Sequence, residues 1–414
     1  MVFSSAHTHL RRRPLSVAAA AFVAALLTIV PAAQASSGRI VPQGFHQRPG
    51  APLRVIPRLA DGAPSHQLWD AQPSGALIAN WDARLTLNAT NATGKTVWSV
   101  AGRDIWTASG VLPAAFAAVY STADPNAPGS GKLVAYRADG TLRFKRTFRN
   151  AFVVPLCDTA KRLEWVEVSS APAMRLFVRQ DGVTRTLRVP WWAKRARIPS
   201  PFACSRNGNA LALGSIIQPG RNGYYAHRVY WVRVDASGIP RIVSDKRTNW
   251  VEVAVSPGGD WAATMPADGY PKTWVRFGQF TGRYLPGDDT SGVQVGPKLI
   301  FETGHASFGS SDNTTWGQDT VMVITRPRLY LGYERTWVND GKGGGVWFTP
   351  DPDVQWALSP DAVPGSLTVI NLLTWDMASV PSTYADAMLV KGGQIATLSD
   401  TGTLGYIPNP VPGP

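Results

Sequence analysis

The stretch Val253-Ala254-Val255-Ser256-Pro257-Gly258-Gly259-Asp260-Trp261-Ala262-Ala263-Thr264 reads as two short apolar runs folded back on each other. Between them Ser, Pro and two Gly supply what a tight turn needs: a fixed φ, a tolerated positive φ and a side chain that bonds its own backbone. The phrase recurs at Ala203-Cys204-Ser205-Arg206-Asn207-Gly208-Asn209-Ala210-Leu211-Ala212 and, shortened, at Ala357-Leu358-Ser359-Pro360-Asp361. Looser copies begin at Leu156-Cys157-Asp158-Thr159 and Ser307-Phe308-Gly309-Ser310. Stepping upstream at a similar interval reaches Ser109, ahead of Phe116-Ala117-Ala118-Val119, and Ser74-Gly75, ahead of Ala76-Leu77-Ile78-Ala79. Seven anchors therefore recur at intervals of about fifty residues, the length of one four-stranded propeller blade with its loops.

The rest of the chain agrees with that period. Leu133–Tyr136, Trp165–Val168, Val229–Val234 and Val321–Ile324 are short β-branched and aromatic runs bounded by Asp-Gly, Asn-Gly or Ser-Gly. That is the vocabulary of strands and hairpins. Beyond the leader described below, no stretch carries three turns of a 3.6-residue apolar period. With 39 Gly and 33 Pro in 414 residues the chain is no helical bundle, and with 16 Trp it is no disordered one. The expectation is an all-β protein, a β-propeller of seven blades with six to eight allowed, over residues 65–414.

The phrase at 253–264 resembles the strand, Ser-Pro-Asp-Gly, strand unit of WD40-like and TolB-like β-propellers. Lys132-Leu133-Val134-Ala135-Tyr136-Arg137-Ala138-Asp139-Gly140-Thr141-Leu142-Arg143-Phe144 resembles the outer hairpin of a quinoprotein-like blade. The Gly-His and Trp-Asp pairs of WD40 blades do not recur in register here. The resemblance implies an architecture and no particular activity.

Residues 1–35 read as a cleaved secretory signal peptide. Arg11-Arg12-Arg13 precede an apolar run from Leu15 to Val30, Pro31 ends it, and Ala33-Gln34-Ala35 offers a peptidase its small residues. Residues 36–64, rich in Pro, Gly and Arg, read as an N-terminal arm or linker. A secreted or periplasmic location is expected, with no transmembrane anchor in the mature chain. There, Cys157 and Cys204 should pair, because the compartment is oxidising and the two occupy equivalent points of neighbouring repeats.

The net charge is +13. Outside the cytosol such a balance favours an anionic polysaccharide, an envelope component or a protein partner over nucleic acid. The densest basic stretch runs from Arg175 to Arg197. Within it Arg179, Arg185, Arg188 and Arg195, with Trp191 and Trp192, are the candidate ligand-binding residues: guanidinium forks pair with anions, and flat rings stack on sugars. Lys and Arg also guard exposed sheet edges, which would explain the same stretch without a ligand. A second basic cluster, Arg143, Lys145, Arg146 and Arg149, lies beside Phe144 and Phe148.

No metal or cofactor is expected. His46, His66, His227 and His305 are widely spaced, and neither a nucleophile elbow nor a phosphate loop is present. The favoured reading is a non-catalytic binding or scaffold module. The alternative is an exported enzyme acting on a polymer through carboxylates at the channel mouth. Acids from different blades converging at one end of the channel would favour the enzyme.

Overall fold

A computed structural model describes residues 66–413 apart from short stretches, the longest being 121–129, 191–201 and 340–347. The described residues form eight antiparallel sheets in chain order, seven of four strands and the last of three. They span residues 66–102, 104–148, 151–190, 202–248, 250–285, 290–339, 349–381 and 386–407. Every sheet is a simple meander, each strand pairing with the next. Successive sheets pack face to face, and the first strand of sheet 1, His66–Gln72, lies against sheet 8. There the Leu68 amide donates to Asp386 Oδ2 at 2.7 Å, and the Tyr406 hydroxyl donates to the Gln72 carbonyl at 2.8 Å. The ring of sheets is a β-propeller. Among the described residues no helix is long and apolar enough to cross a membrane.

Eight sheets are one more than the seven anchors. The anchors near 74, 109, 157, 204 and 255 fall at the first turns of sheets 1 to 5. The copy at Ser307-Phe308-Gly309 instead ends the second strand of sheet 6, Leu299–Gly309, and that sheet's first turn is at Gly296-Pro297. Likewise Ala357-Leu358-Ser359 closes the second strand of sheet 7, whose first turn is Asp351–Gln355. The eighth first turn, Val390–Gln394, contains no Ser-Pro phrase. Strand ends at both edges of a sheet use the same turn residues, so composition alone did not separate them.

Sheets 4, 5 and 7 share one first-turn geometry. The residue ending the first strand, Ser205, Ser256 or Asp351, is buried, and its amide donates to the carbonyl five residues on, at 2.8 to 2.9 Å. Its side-chain oxygen accepts from the amides that follow. Ser205 Oγ takes those of Asn209 and Ala210, Ser256 Oγ takes that of Trp261, and Asp351 takes those of Asp353, Gln355 and Trp356. The fourth residue of the turn adopts positive φ: Gly208 at 67°, Gly259 at 73° and, with a branched side chain, Val354 at 53°. Asp351-Pro352-Asp353 is therefore turn chemistry, the Asp351 carboxylate being taken up by three amides of its own turn.

Neighbouring turns nest. Asn207 Nδ2 donates to the Gly258 carbonyl at 3.0 Å. A methyl group at Gly296 would stand 2.6 Å from both the Asp353 carbonyl oxygen and Val354 Cβ, so sheet 6 meets sheet 7 through a bare backbone. Gly296→Ala should therefore cost about 2 kcal/mol in urea unfolding, from overpacking alone. Gly182→Ala, where φ is 79° and no atom lies within 4 Å, should cost about 1 kcal/mol through backbone conformation alone. Equal stability of the Gly296 variant and the parent would refute the nesting.

Candidate functional site

In a meander the first and third turns fall at the same end of the sheet. At that end the described residues line two concavities. One, of about 610 Å³, is the mouth of the central channel, lined by the ends of first strands from sheets 1, 3, 4, 5, 7 and 8. The other, of about 970 Å³, is a cleft between sheets 3 and 4.

The channel mouth gathers charges far apart in sequence: Asp70, Asp158, Arg206 and Lys391 line it. Arg206 of sheet 4 reaches Asp353 of sheet 7 at 3.1 Å. The wall also holds the Cys157–Cys204 disulfide, which joins the first strands of sheets 3 and 4 with Cα atoms 6.1 Å apart. Closing a loop of that sequence separation, 47 residues, contributes roughly 4 kcal/mol in the chain-entropy account. Asp158, next along the chain, is almost wholly buried. Its Oδ1 accepts from Arg143 Nη1 at 2.8 Å, while Oδ2 has no partner among the described residues. Burial outweighs the Arg143 charge and pushes the carboxyl up to about 7.

The cleft is built around Arg162. Its guanidinium donates to Gln180 Oε1 through two nitrogens, to the Asp235 and Gly208 carbonyls, and to Asn209 Oδ1, clamping sheet 3 to sheet 4. Gln180 Nε2 adds a bond to the Ala236 carbonyl at 2.8 Å. With its donors engaged, Arg162 leaves Glu164 poorly served: the nearest approach is 3.7 Å, and neither Glu164 oxygen has a hydrogen-bond partner among the described residues. Burial therefore drives Glu164 up to about 8, against the opposing Arg162 charge. Lys161 and Arg241 line the cleft and are exposed.

The described candidate basic residues, Arg179, Arg185 and Arg188, are distributed rather than gathered. Arg179 lies 5.0 Å over the Phe144 ring and donates to the Gly182 carbonyl and Thr184 Oγ1. Arg185 and Arg188 belong to the strand Val183–Pro190, which pairs with its neighbour in unbroken register, so the two leave on opposite faces. Arg185 shares its face with Leu187 and Val189, which pack toward sheet 4, and its charge acts on Asp235 at the cleft. Arg188 stands opposite Arg175 on the other face, and both are exposed. Trp191, Trp192 and Arg195 lie outside the described residues. Of the second cluster, Arg143 and Arg146 are spent between sheets 2 and 3, while Lys145 and Arg149 are exposed. Arg143 holds Asp158, and Arg146 bonds Glu167 at 3.0 Å while lying 4.9 Å over Phe177. Phe116, Phe144, Trp165 and Phe177 complete that seam. The cleft went unread in the sequence because its walls come from four turns of two sheets. One sequence signal was Glu164, an acid on the same strand face as the buried Val166 and Val168.

No protein-family model matches the sequence, and no curated protein does. Solved structures similar to the chain include the Dos1 propeller, with 8% identity over 78% of this chain and 89% of that one, at a TM-score of 0.46. The WD40 domain of SCAP from fission yeast has 10% identity over 84% and 96%, at 0.42. The WD40 domain of Toxoplasma gondii coronin has 12% identity over 73% and 79%, at 0.43. The likeness is one of fold, and the WD40-like propeller architecture stands on the sheet topology described above.

Asp158 and Glu164 hold their protons more tightly in the folded chain than in the unfolded one, where 3.8 and 4.5 are the ordinary values. Between about pH 4 and pH 8 unfolding therefore releases protons, and stability falls as the pH rises. The thermal midpoint should drop between pH 5 and pH 8, by the equivalent of roughly a few kcal/mol. Glu164→Gln should remove roughly half of that slope, leaving the part that Asp158 carries. A midpoint independent of pH in the parent would show that both carboxyls ionise normally.

Proposed function

We propose that the chain is an exported, non-catalytic binding module whose turn end engages an anionic polymer or envelope surface. The observation that carries this reading is the cleft between sheets 3 and 4, where exposed Lys161 and Arg241 and half-buried Arg185 surround a pocket framed by Arg162. The opposing Asp235 spends its carboxylate on the Ser237 and Ile239 amides of its own turn. The leader at 1–35 and the disulfide support export. Binding of the mature protein to a soluble acidic polysaccharide should weaken steeply with salt, since exposed charges are screened over about 8 Å at physiological ionic strength. Lys161→Ser with Arg241→Ser should lower affinity roughly tenfold, a loss of about 1.4 kcal/mol, at an unchanged thermal midpoint. Undiminished binding by that double variant would remove the cleft from the reading.

One observation favours a second reading, hydrolysis of a polymer at the channel mouth. Asp70 and Asp158 come from different sheets to line the same cavity, and Asp158 titrates near neutrality, as a general acid should. On this reading the parent releases reducing ends from a polysaccharide and Asp158→Asn does not. Failure of the parent to cleave any member of a panel of acidic and neutral glycans would leave binding as the function.

A further inference from the structure

Leu142, Val183, Ile239 and Val243 are the exposed large hydrophobic side chains among the described residues, at 50, 52, 37 and 42% exposure. Their placement is similar in three consecutive sheets: Val183 and Ile239 directly follow the third-turn glycines Gly182 and Gly238, and Leu142 stands two residues after Gly140. These glycines have φ of 84°, 79° and 78°, so each tip is a tight hairpin that holds its apolar residue outward. Val243 lines the adjoining cleft.

The three tips are tied into one edge. Arg143, beside Leu142, donates to the Thr159 and Ala160 carbonyls of sheet 3. Gln180, three residues before Val183, bonds Ala236 and packs against Gly238, beside Ile239. Exposed cations stand along the same edge: Arg137 on the first tip, Lys161 between sheets, and Arg241 beyond the third. The acids of the tips, Asp139, Asp181 and Asp235, are exposed too, and those of the first and third tips cap their own turns. Asp139 accepts from the Thr141 amide and hydroxyl, and Asp235 from the Ser237 and Ile239 amides.

Aliphatic tips set among cations fit one kind of partner better than another. A sugar polymer is gripped by flat rings, and the rings of this region, Phe144, Trp165 and Phe177, are stacked on one another between sheets 2 and 3. A bilayer surface accepts branched aliphatic side chains among its acyl chains and offers phosphate to Lys and Arg. We infer that this edge is a membrane-contact surface, seating Leu142, Val183 and Ile239 in the headgroup region of an anionic bilayer while the neighbouring cations pair with lipid phosphate. The inference rests on the reading of the chain as a binder of anionic surfaces and names the lipid bilayer as that surface.

The test is co-sedimentation of the mature protein with vesicles of phosphatidylglycerol and phosphatidylcholine, and with phosphatidylcholine alone. Acidic polysaccharide binding is measured in parallel. The parent should partition onto the anionic vesicles and not the neutral ones. The variant Leu142→Ser, Val183→Ser, neither of which lines the cleft, should lose about tenfold in vesicle partition while keeping its thermal midpoint and its binding to soluble polysaccharide. A dye sensitive to polarity, attached at Leu142→Cys, should shift to the blue on anionic vesicles. Vesicle binding unchanged in the double variant, or a dye that stays in water, would overturn the inference. Polysaccharide binding without vesicle binding would overturn it while leaving the proposed function standing, and binding to neither would overturn both.

Discussion

A sheet packed between two others has no solvent at its inner corner, so the turn at that corner must satisfy its own polar groups. The rest of this propeller depends on that requirement. Ser205, Ser256 and Asp351 meet it with one buried side-chain oxygen that collects the amides of the turn behind it. A buried amide left unpaired costs about 1–3 kcal/mol, which makes this small polar residue as necessary as any core leucine. Because each turn is self-contained, it can press directly against the next, through Gly259 on Ala210 and Ser205, and Gly296 on Val354. That nesting sets the width of the channel mouth and brings Arg206 within reach of Asp353. Val354, a branched residue held at positive φ where two sister turns use glycine, lies at the same point. Backbone strain of that kind persists only where its surroundings over-determine it.

Charge in this protein is divided between joinery and surface. Arg143, Arg146, Arg162 and Arg179 lie in seams, where planar guanidinium groups stack on rings or fork across several carbonyls. Lys would do neither as well, since an ammonium is a compact point charge. What remains exposed at the turn end, Arg137, Lys161 and Arg241 among it, carries the binding function proposed here. The same joinery strands Glu164, whose cationic neighbour Arg162 is fully engaged elsewhere. A proton is the remaining way to keep that carboxyl buried, and it ties the stability of the seam between sheets 3 and 4 to pH.

The sequence by itself determined the class of fold, the turn chemistry and the pairing of the cysteines. Each is set locally or by a repeat: alternating apolar runs, Asp-Gly and Ser-Pro-Gly turns, and two Cys at matching points of successive units. The described residues form eight sheets, within the six to eight expected, against seven anchors, because the phrases near 309 and 358 close second strands, and a turn residue does not say which end of a sheet it serves. The basic stretch from Arg175 to Arg197 was legible as charge but not as a surface. In a strand the side-chain period is two, so Arg185 and Arg188 separate onto opposite faces however close they stand in the chain. Only the tertiary structure decided which arginines became clamps, and only it assembled the cleft and the apolar edge. Those features join turns of different sheets across more than forty residues of chain, and contact at that range follows from how the sheets pack around the ring.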